Sequence, residues 1–153
     1  MNTLLRKATI QDMDTLYHWR NDETSRKASL NSDYIPYETH KKWYQDALNN
    51  QDIQIFIMES DSTPLGQVRL NYWYDELVIS YSISPQFRGR HLGQEMLQLT
   101  EELLNHDPDA RKDGRYLIAY VKKDNLASQH IFEKLKYKKE EQDKWFKYIK
   151  KIT

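Results

Sequence analysis

Two of the four glycines in this 153-residue chain, Gly89 and Gly93, stand four apart in the segment SISPQFRGRHLGQEM, Ser82 to Met96. Upstream, LVISYSI (Leu77–Ile83) reads as a strand. Downstream, Leu92, Met96, Leu99, Leu103 and Leu104 recur at helical spacing and predict a buried stripe on a helix over Leu92–Asn105. A strand that runs through a glycine-bearing loop into a long helix limits what the chain can build. The first N–H groups of a helix have no partner within it and carry partial positive charge. A glycine at that place lets an anion approach the backbone with no Cβ in the way, and Arg88 and Arg90 add charge-assisted donors. These are the parts of a phosphate or pyrophosphate cradle. A turn followed by a helix-packing glycine is the other reading of the same residues. The segment is no Walker A loop, since no Gly-Lys-Ser/Thr follows, and it lacks the third glycine of the dinucleotide fingerprint.

The rest of the chain supplies an alternating order of elements. Leu4–Ala8 reads as a strand, and Gln11–Arg20 as a helix with Met13, Leu16 and Tyr17 on one face. The polar run NDETSRKASLNSDY reads as a loop or irregular helix. Glu38–Asn49 has Trp43, Tyr44, Ala47 and Leu48 at helical spacing. Ile53–Met58, Leu65–Trp73 and Leu77–Ile83 are strands, the first two separated by a turn at Asp61–Pro64. After the long helix come a loop (Asp107–Gly114), a strand (Arg115–Val121), a helix (Asn125–Leu135) and a strand–turn–strand tail. Hairpins mixed with helical crossovers predict an α+β, mixed α/β fold rather than a purely parallel sheet.

Composition removes several classes of function. Net charge is zero, with 23 basic and 23 acidic residues, so no general positive field attracts nucleic acid. The absence of cysteine excludes thiolate nucleophiles, disulfides and cysteine-based zinc sites, and the five histidines lack metal-ligand spacing. No apolar run is long enough to cross a bilayer, and MNTLLRKAT lacks the apolar segment of a secretory signal. The expectation is one domain over residues 1–153, cytoplasmic, without metal, nucleic-acid or membrane partners, a monomer or a homodimer.

Pro85-Gln86-Phe87-Arg88-Gly89-Arg90-His91-Leu92-Gly93 resembles the pyrophosphate-binding motif of the GNAT superfamily of acyl-CoA-dependent N-acetyltransferases. Gln86 and Gly89 match that motif, while His91 stands where glycine or alanine is usual. Asn125-Leu-Ala-Ser-Gln-His-Ile-Phe-Glu-Lys-Leu-Lys-Tyr137 resembles the family's Asn-x-x-Ala/Ser-x-x-x-Tyr helix. There the asparagine contacts the pantetheine arm, and the tyrosine protonates the departing thiolate; here Phe132 takes the tyrosine's place. The resemblance implies a GNAT-like, mostly antiparallel seven-stranded central sheet flanked by about four helices. It also implies acetyl-CoA as cosubstrate, with Ile83, Arg88, Gly89, Arg90, His91, Leu92, Gly93, Gln94, Asn125, Ser128 and Phe132 on the cofactor side.

The N-terminal half bears on the acceptor. Trp19-Arg20-Asn21-Asp22 and Ile35-Pro36-Tyr37-Glu38-Thr39-His40-Lys41-Lys42-Trp43 resemble the amino-sugar N-acetyltransferases of the pseudaminic acid pathway. That resemblance implies a nucleotide-linked amino sugar as small-molecule substrate, with Arg20 and His40 in its pocket. Arginine suits a diphosphate, and histidine can bond a hydroxyl or accept a proton. Arg69, a charged residue within a strand, is a further substrate candidate, a solvated strand face being the other reading. For the catalytic base His40 comes first, with Glu76 and Tyr81 as alternatives; Tyr81 shares the phase of Leu77, Ile79 and Ile83 and so also reads as core. Two other functions fit the same residues: a GNAT enzyme for a protein N-terminus, a polyamine or another small amine, and a non-catalytic acyl-CoA-binding module.

Overall fold

A computed structural model describes residues 2–74, 76–106 and 116–152. The loop expected at Asp107–Gly114 and the first residue of the strand expected from Arg115 lie outside the described residues. The strands are β1 (Leu4–Lys7), β2 (Ile53–Ser60), β3 (Thr63–Trp73), β4 (Glu76–Ile83), β5 (Tyr116–Lys122), β6 (Lys138–Glu141) and β7 (Trp145–Lys151). The α-helices are α1 (Met13–Asn21), α2 (Glu23–Ala28), α3 (Tyr37–Leu48), α4 (Leu92–Asn105) and α5 (Leu126–Lys134).

The sheet has seven strands in the order β1-β2-β3-β4-β5-β7-β6. All neighbouring pairs are antiparallel except β4 and β5. Parallel strands need a crossover, and here α4 lies between β4 and β5 in the chain. The expected mixed α/β architecture is therefore found.

Alternation along the strands sorts side chains between two helical layers. Val68, Leu70, Leu77, Ile79, Leu117, Ala119 and Val121 form one core with Met96, Leu97 and Leu104 of α4 and Phe132 of α5. On the opposite side Ile55 and Ile57 pack with Leu16 and Trp19 of α1 and Tyr44 and Ala47 of α3. Arg6 ties β1 into this layer by donating two 2.8 Å bonds to Asp12 and one to Glu59. The Arg6 hydrogen bonds hold the Asp12 carboxyl below the usual range against the opposing effect of burial.

Three details differ from expectation. The described residues contain five α-helices where about four were expected, because the polar run that reads as a loop or irregular helix forms α2 in part. That helix buries none of its residues; it starts at Asp22, whose side chain accepts from the Ser25 N–H. The turn before β3 is shorter than Asp61–Pro64, since β3 begins at Thr63, with Asp61 and Ser62 at positive φ. On α4, Leu103 is 40% exposed, whereas Leu97 and Thr100 are buried. Spacing alone leaves the rotation of such a stripe open, and the helix turns Leu97 rather than Leu103 onto the sheet.

Gly66 marks a close approach of β3 to β4. A Cβ there would stand 2.8 Å from the Ser82 carbonyl oxygen and 2.9 Å from Ile83 Cδ1. Gly66→Ala is expected to cost about 1–3 kcal/mol through forced separation of the two strands. Urea denaturation checks this, as a lower midpoint at unchanged m-value.

Candidate active site

Among the described residues β4 and β5 pair at three positions, Glu76 with Tyr116, Leu77 with Leu117 and Val78 with Ile118. Beyond Val78, β4 continues to Ile83 and β5 to Lys122 without pairing to each other. β4 stays paired to β3 over this length, Gly66 lying opposite Ile83. The edge of β4 that faces β5 therefore offers backbone groups with no strand partner, which want a partner elsewhere. Between the two strands lies an opening in the middle of the sheet.

The glycine-bearing loop stands where β4 ends. Ser84 N–H donates to the Leu65 carbonyl, and Phe87 N–H closes a short turn onto Ser84. Gly89 has φ +80°, and a Cβ built on it would meet nothing within 4 Å. The chain then passes through His91, also left-handed at φ 59°, into α4. The first backbone bond of the helix runs from the Glu95 N–H to the His91 carbonyl at 3.3 Å. The N–H groups of Leu92, Gly93 and Gln94 are thus the orphan donors of the helix start. The His91 side chain is exposed and makes no capping bond, so the departure from glycine at this position leaves the loop open. The residues present fit an anionic ligand: free N–H donors, a glycine in a conformation other residues rarely adopt, and space above it.

Of the other residues expected on this side, the structure gathers some and sets others apart. Tyr81 and Ser128 bring their hydroxyls to 2.6 Å across the gap between β4 and α5. Burial pushes the Tyr81 phenol up, and its bond to Ser128 opposes the shift, so this side chain is ill suited to accept a proton at neutral pH. Gly93 packs against the sheet and α5, where a Cβ would meet Ile131 Cδ1 at 3.1 Å and Tyr81 Cε2 at 3.3 Å. Leu92 is buried in the core and Ile83 packs against it. Asn125 caps α5, its side chain accepting from the Ser128 N–H at 3.2 Å. Phe132 is 1% exposed and stacks on Tyr148 in the core. Arg90 lies over the Phe87 ring. Arg88 turns away from the loop to bond Asp22 at 2.6 Å and Ser25 at 3.0 Å, bridging the loop to α2. This bridge has no signal in the sequence, because the partners are 66 and 63 residues apart.

The acceptor-side residues lie in the other layer. Arg69 and Asn71 share a face of β3 with the opposing Ile55 of β2 and Ser80 of β4, the face covered by α1 and α3. The guanidinium of Arg69 stacks on Trp43 of α3, 5.1 Å from the ring centroid. Arg20, at the end of α1, donates to the Asn31 carbonyl at 2.7 Å. Asn21 pins the same α2–α3 loop, accepting from the Ile35 N–H and donating to the Ile35 carbonyl, both at 2.8 Å. His40 is 4% exposed, stacked on Tyr44 and bonded through Nε2 to the Met13 carbonyl at 3.1 Å. A carbonyl only accepts, so Nε2 carries the proton and Nδ1 is left with the lone pair. Burial pushes the imidazole pKa down, the Met13 bond opposing. Glu76 sits in the paired part of β4, where its carboxylate accepts from Lys147 at 3.3 Å. From sequence, Trp43 stands only as part of an apolar stripe and of the Ile35–Trp43 segment, and Asn71 is not singled out; the alternation of Gln67, Arg69 and Asn71 against Gly66, Val68 and Leu70 was the available signal for the latter.

A shallow cavity of about 350 Å³ opens at the end of β5, lined by Leu30, Lys122, Lys123, Asp124, Lys144 and Trp145. Lys122 donates to the Lys27 carbonyl of α2. Among the described residues no helix is long and apolar enough to cross a membrane.

Solved structures share this architecture. A spermidine N-acetyltransferase from Vibrio cholerae, in complex with CoA and spermine, superimposes with a TM-score of 0.82 at 14% identity, over 98% of this chain and 95% of that one. A ribosomal L7/L12 alpha-N-protein acetyltransferase, RimL, in complex with coenzyme A gives 0.81 at 14% identity over 99% and 95%. The aminoglycoside acetyltransferase AAC(6')-Ib in complex with coenzyme A gives 0.80 at 16% identity over 98% and 95%. At these identities the likeness is one of fold. No curated protein sequence is detectably similar to the chain. The acetyltransferase (GNAT) domain family matches residues 2–138, and with the divergence of β4 from β5 beside the Gly89 loop, this places the chain in the GNAT acetyltransferase family.

Proposed function

We propose that the chain is an acetyl-CoA-dependent N-acetyltransferase acting on a primary amine, and that the amine is the 4-amino group of a nucleotide-linked amino-deoxy sugar. The observation that carries the transferase reading is the separation of β4 from β5 next to the open helix start at Gly89. The sugar-nucleotide reading rests on the Trp19–Asp22 and Ile35–Trp43 resemblance, and on Arg20 at the end of α1 and Arg69 on the strand face beneath α3.

Coenzyme A, when bound, supplies the acetyl group as a thioester. The N–H groups from Gly89 to Gln94 hold the diphosphate linkage. An unpaired N–H on the β5-facing edge of β4 donates to the thioester oxygen, where negative charge develops on attack. His40 Nδ1 takes the proton of the attacking amine; burial keeps the ring neutral and thus able to accept. Phe132 has no proton to give the sulfur. The Tyr81–Ser128 hydroxyl pair holds one nearby, the Tyr81 ring lying 6.1 Å from that of Phe132. The buried place of Phe132 also motivates a second reading, a module that binds acyl-CoA without transferring the acetyl group.

Calorimetry with acetyl-CoA and a thiol-release assay with a UDP-linked 4-amino-4,6-dideoxy sugar separate the readings. Binding with thiol release supports the enzyme. Binding without release on any amine supports the module, and absence of binding removes both.

Three variants sharpen the test. Gly89→Ala, whose Cβ enters the space where the anion approaches, is expected to weaken acetyl-CoA binding about tenfold, or about 1.4 kcal/mol; His91→Gly is expected to leave it unchanged or tighter. His40→Gln is expected to lower kcat by about 10²-fold with unaltered affinity for acetyl-CoA, measured by steady-state kinetics and calorimetry. The same variant has a signature in stability. The folded imidazole titrates below the unfolded one, so between the two values the unfolded chain binds more protons. Wild-type stability therefore falls as pH drops below about 6.5, and His40→Gln is expected to remove that part of the pH dependence in urea titrations.

A further inference from the structure

Two cations lie on the acceptor side with nothing opposite them. Arg69 makes no hydrogen bond and no ion pair among the described residues; its guanidinium is stacked on Trp43 and its Nε is buried without a partner. Arg20 spends one nitrogen on the Asn31 carbonyl, while its Nη1 is also buried and unpartnered. Asn71 Oδ1, two residues along the same face of β3, is a third buried polar atom with no partner. Of the carboxylates in this layer, Asp12 and Glu59 bond Arg6, Asp22 bonds Arg88 and Asp14 accepts from the Tyr37 hydroxyl, while Glu38 and Asp46 lie exposed on α3. The two guanidiniums are close enough that Arg20 adds to the effect of burial in lowering the Arg69 pKa.

Holding like charges in a half-buried place, with polar atoms of both cut off from water and without a counter-ion, is unfavourable. A fold with no use for them gains stability by replacing either with an apolar side chain of similar volume. Guanidinium groups are weakly hydrated, planar and matched to phosphate and carboxylate oxygens, and the unpaired amide oxygen beside them accepts from a hydroxyl or an amine.

We propose that Arg20 and Arg69 form an oxyanion subsite for the acceptor, so that the amine substrate carries a phosphate or carboxylate group and polycationic amines are rejected. This rests on the transferase reading above and narrows it: substrates such as spermine, which one fold neighbour binds, are the wrong charge for this pocket. Trp43 fixes the plane of the Arg69 guanidinium, and Asn71 Oδ1 receives a hydroxyl or amine hydrogen of the same ligand.

The test is calorimetric titration of the full chain with coenzyme A at saturation, so that the cradle at Gly89 is filled. UDP, inorganic phosphate, glucuronate and spermidine are titrated separately. Binding of at least one anion is expected, UDP or phosphate marking a phosphorylated acceptor and glucuronate a carboxylated one, with no binding of spermidine. Arg69→Gln and Arg20→Gln are each expected to weaken that binding at least tenfold, with coenzyme A affinity unchanged. Arg69→Met serves as the second variant: it is expected to raise the Tm of the ligand-free protein while abolishing the anion-dependent rise in Tm. Failure of coenzyme A to bind would sink the transferase reading. Normal coenzyme A binding with no anion bound, spermidine bound as well as the anions, or an Arg69→Met protein with lower Tm and unaltered anion affinity would overturn the subsite alone.

Discussion

The end of pairing between β4 and β5 at Val78 and Ile118 is the constraint on which the rest of the molecule turns. A sheet gains by pairing every backbone group it can, yet these two strands part after Val78. Two features keep them apart. β4 is held to β3 along its whole length, with Gly66 letting the backbones come close at Ser82 and Ile83. On the other side β5 is paired to β7 from Tyr116 through Lys122. The sheet behaves as two antiparallel halves joined by a short parallel seam, and the opening beyond the seam is a consequence of each half being complete.

The opening would be a defect without the elements around it. α4 begins beside it and brings its orphan N–H groups to the same place. Tyr81 and Ser128 close its α5 side with a hydroxyl pair. Arg88 ties the loop before α4 to Asp22 and Ser25, and so links the cradle to the helices over the acceptor face. Arg20 and Asn21 then pin the α2–α3 loop over that face. Polar contacts thus run from the loop before α4 to the start of α2, and Arg20 and Asn21 fasten the loop that follows it.

Much of this was legible in the chain. The apolar stripes place the long helix, and the glycine spacing marks the open loop before it, whereas Arg88, expected to face an anion there, bonds Asp22 and Ser25. Helical spacing left open which leucines of α4 turn inward, and Leu103 gave way to Leu97 because 3.6-residue periodicity allows either. α2 has no apolar face to detect; it is held by the local Asp22 cap and by the Arg88 bridge, a contact between residues distant in the chain. Arg69 reads from sequence either as a substrate candidate or as part of a solvated strand face, and only the packing of α1 and α3 over that face makes it a half-buried cation. The parting of β4 from β5 depends on register between strands far apart in sequence, which no local pattern carries.

The most direct measurement is a crystal structure of the protein grown with acetyl-CoA. The diphosphate is expected within hydrogen-bond distance of the backbone N–H groups between Gly89 and Gln94, and the thioester between Ile79–Ile83 of β4 and the unpaired end of β5. A complex in which β4 and β5 are zipped together beyond Val78, or in which the coenzyme lies away from the start of α4, would contradict it.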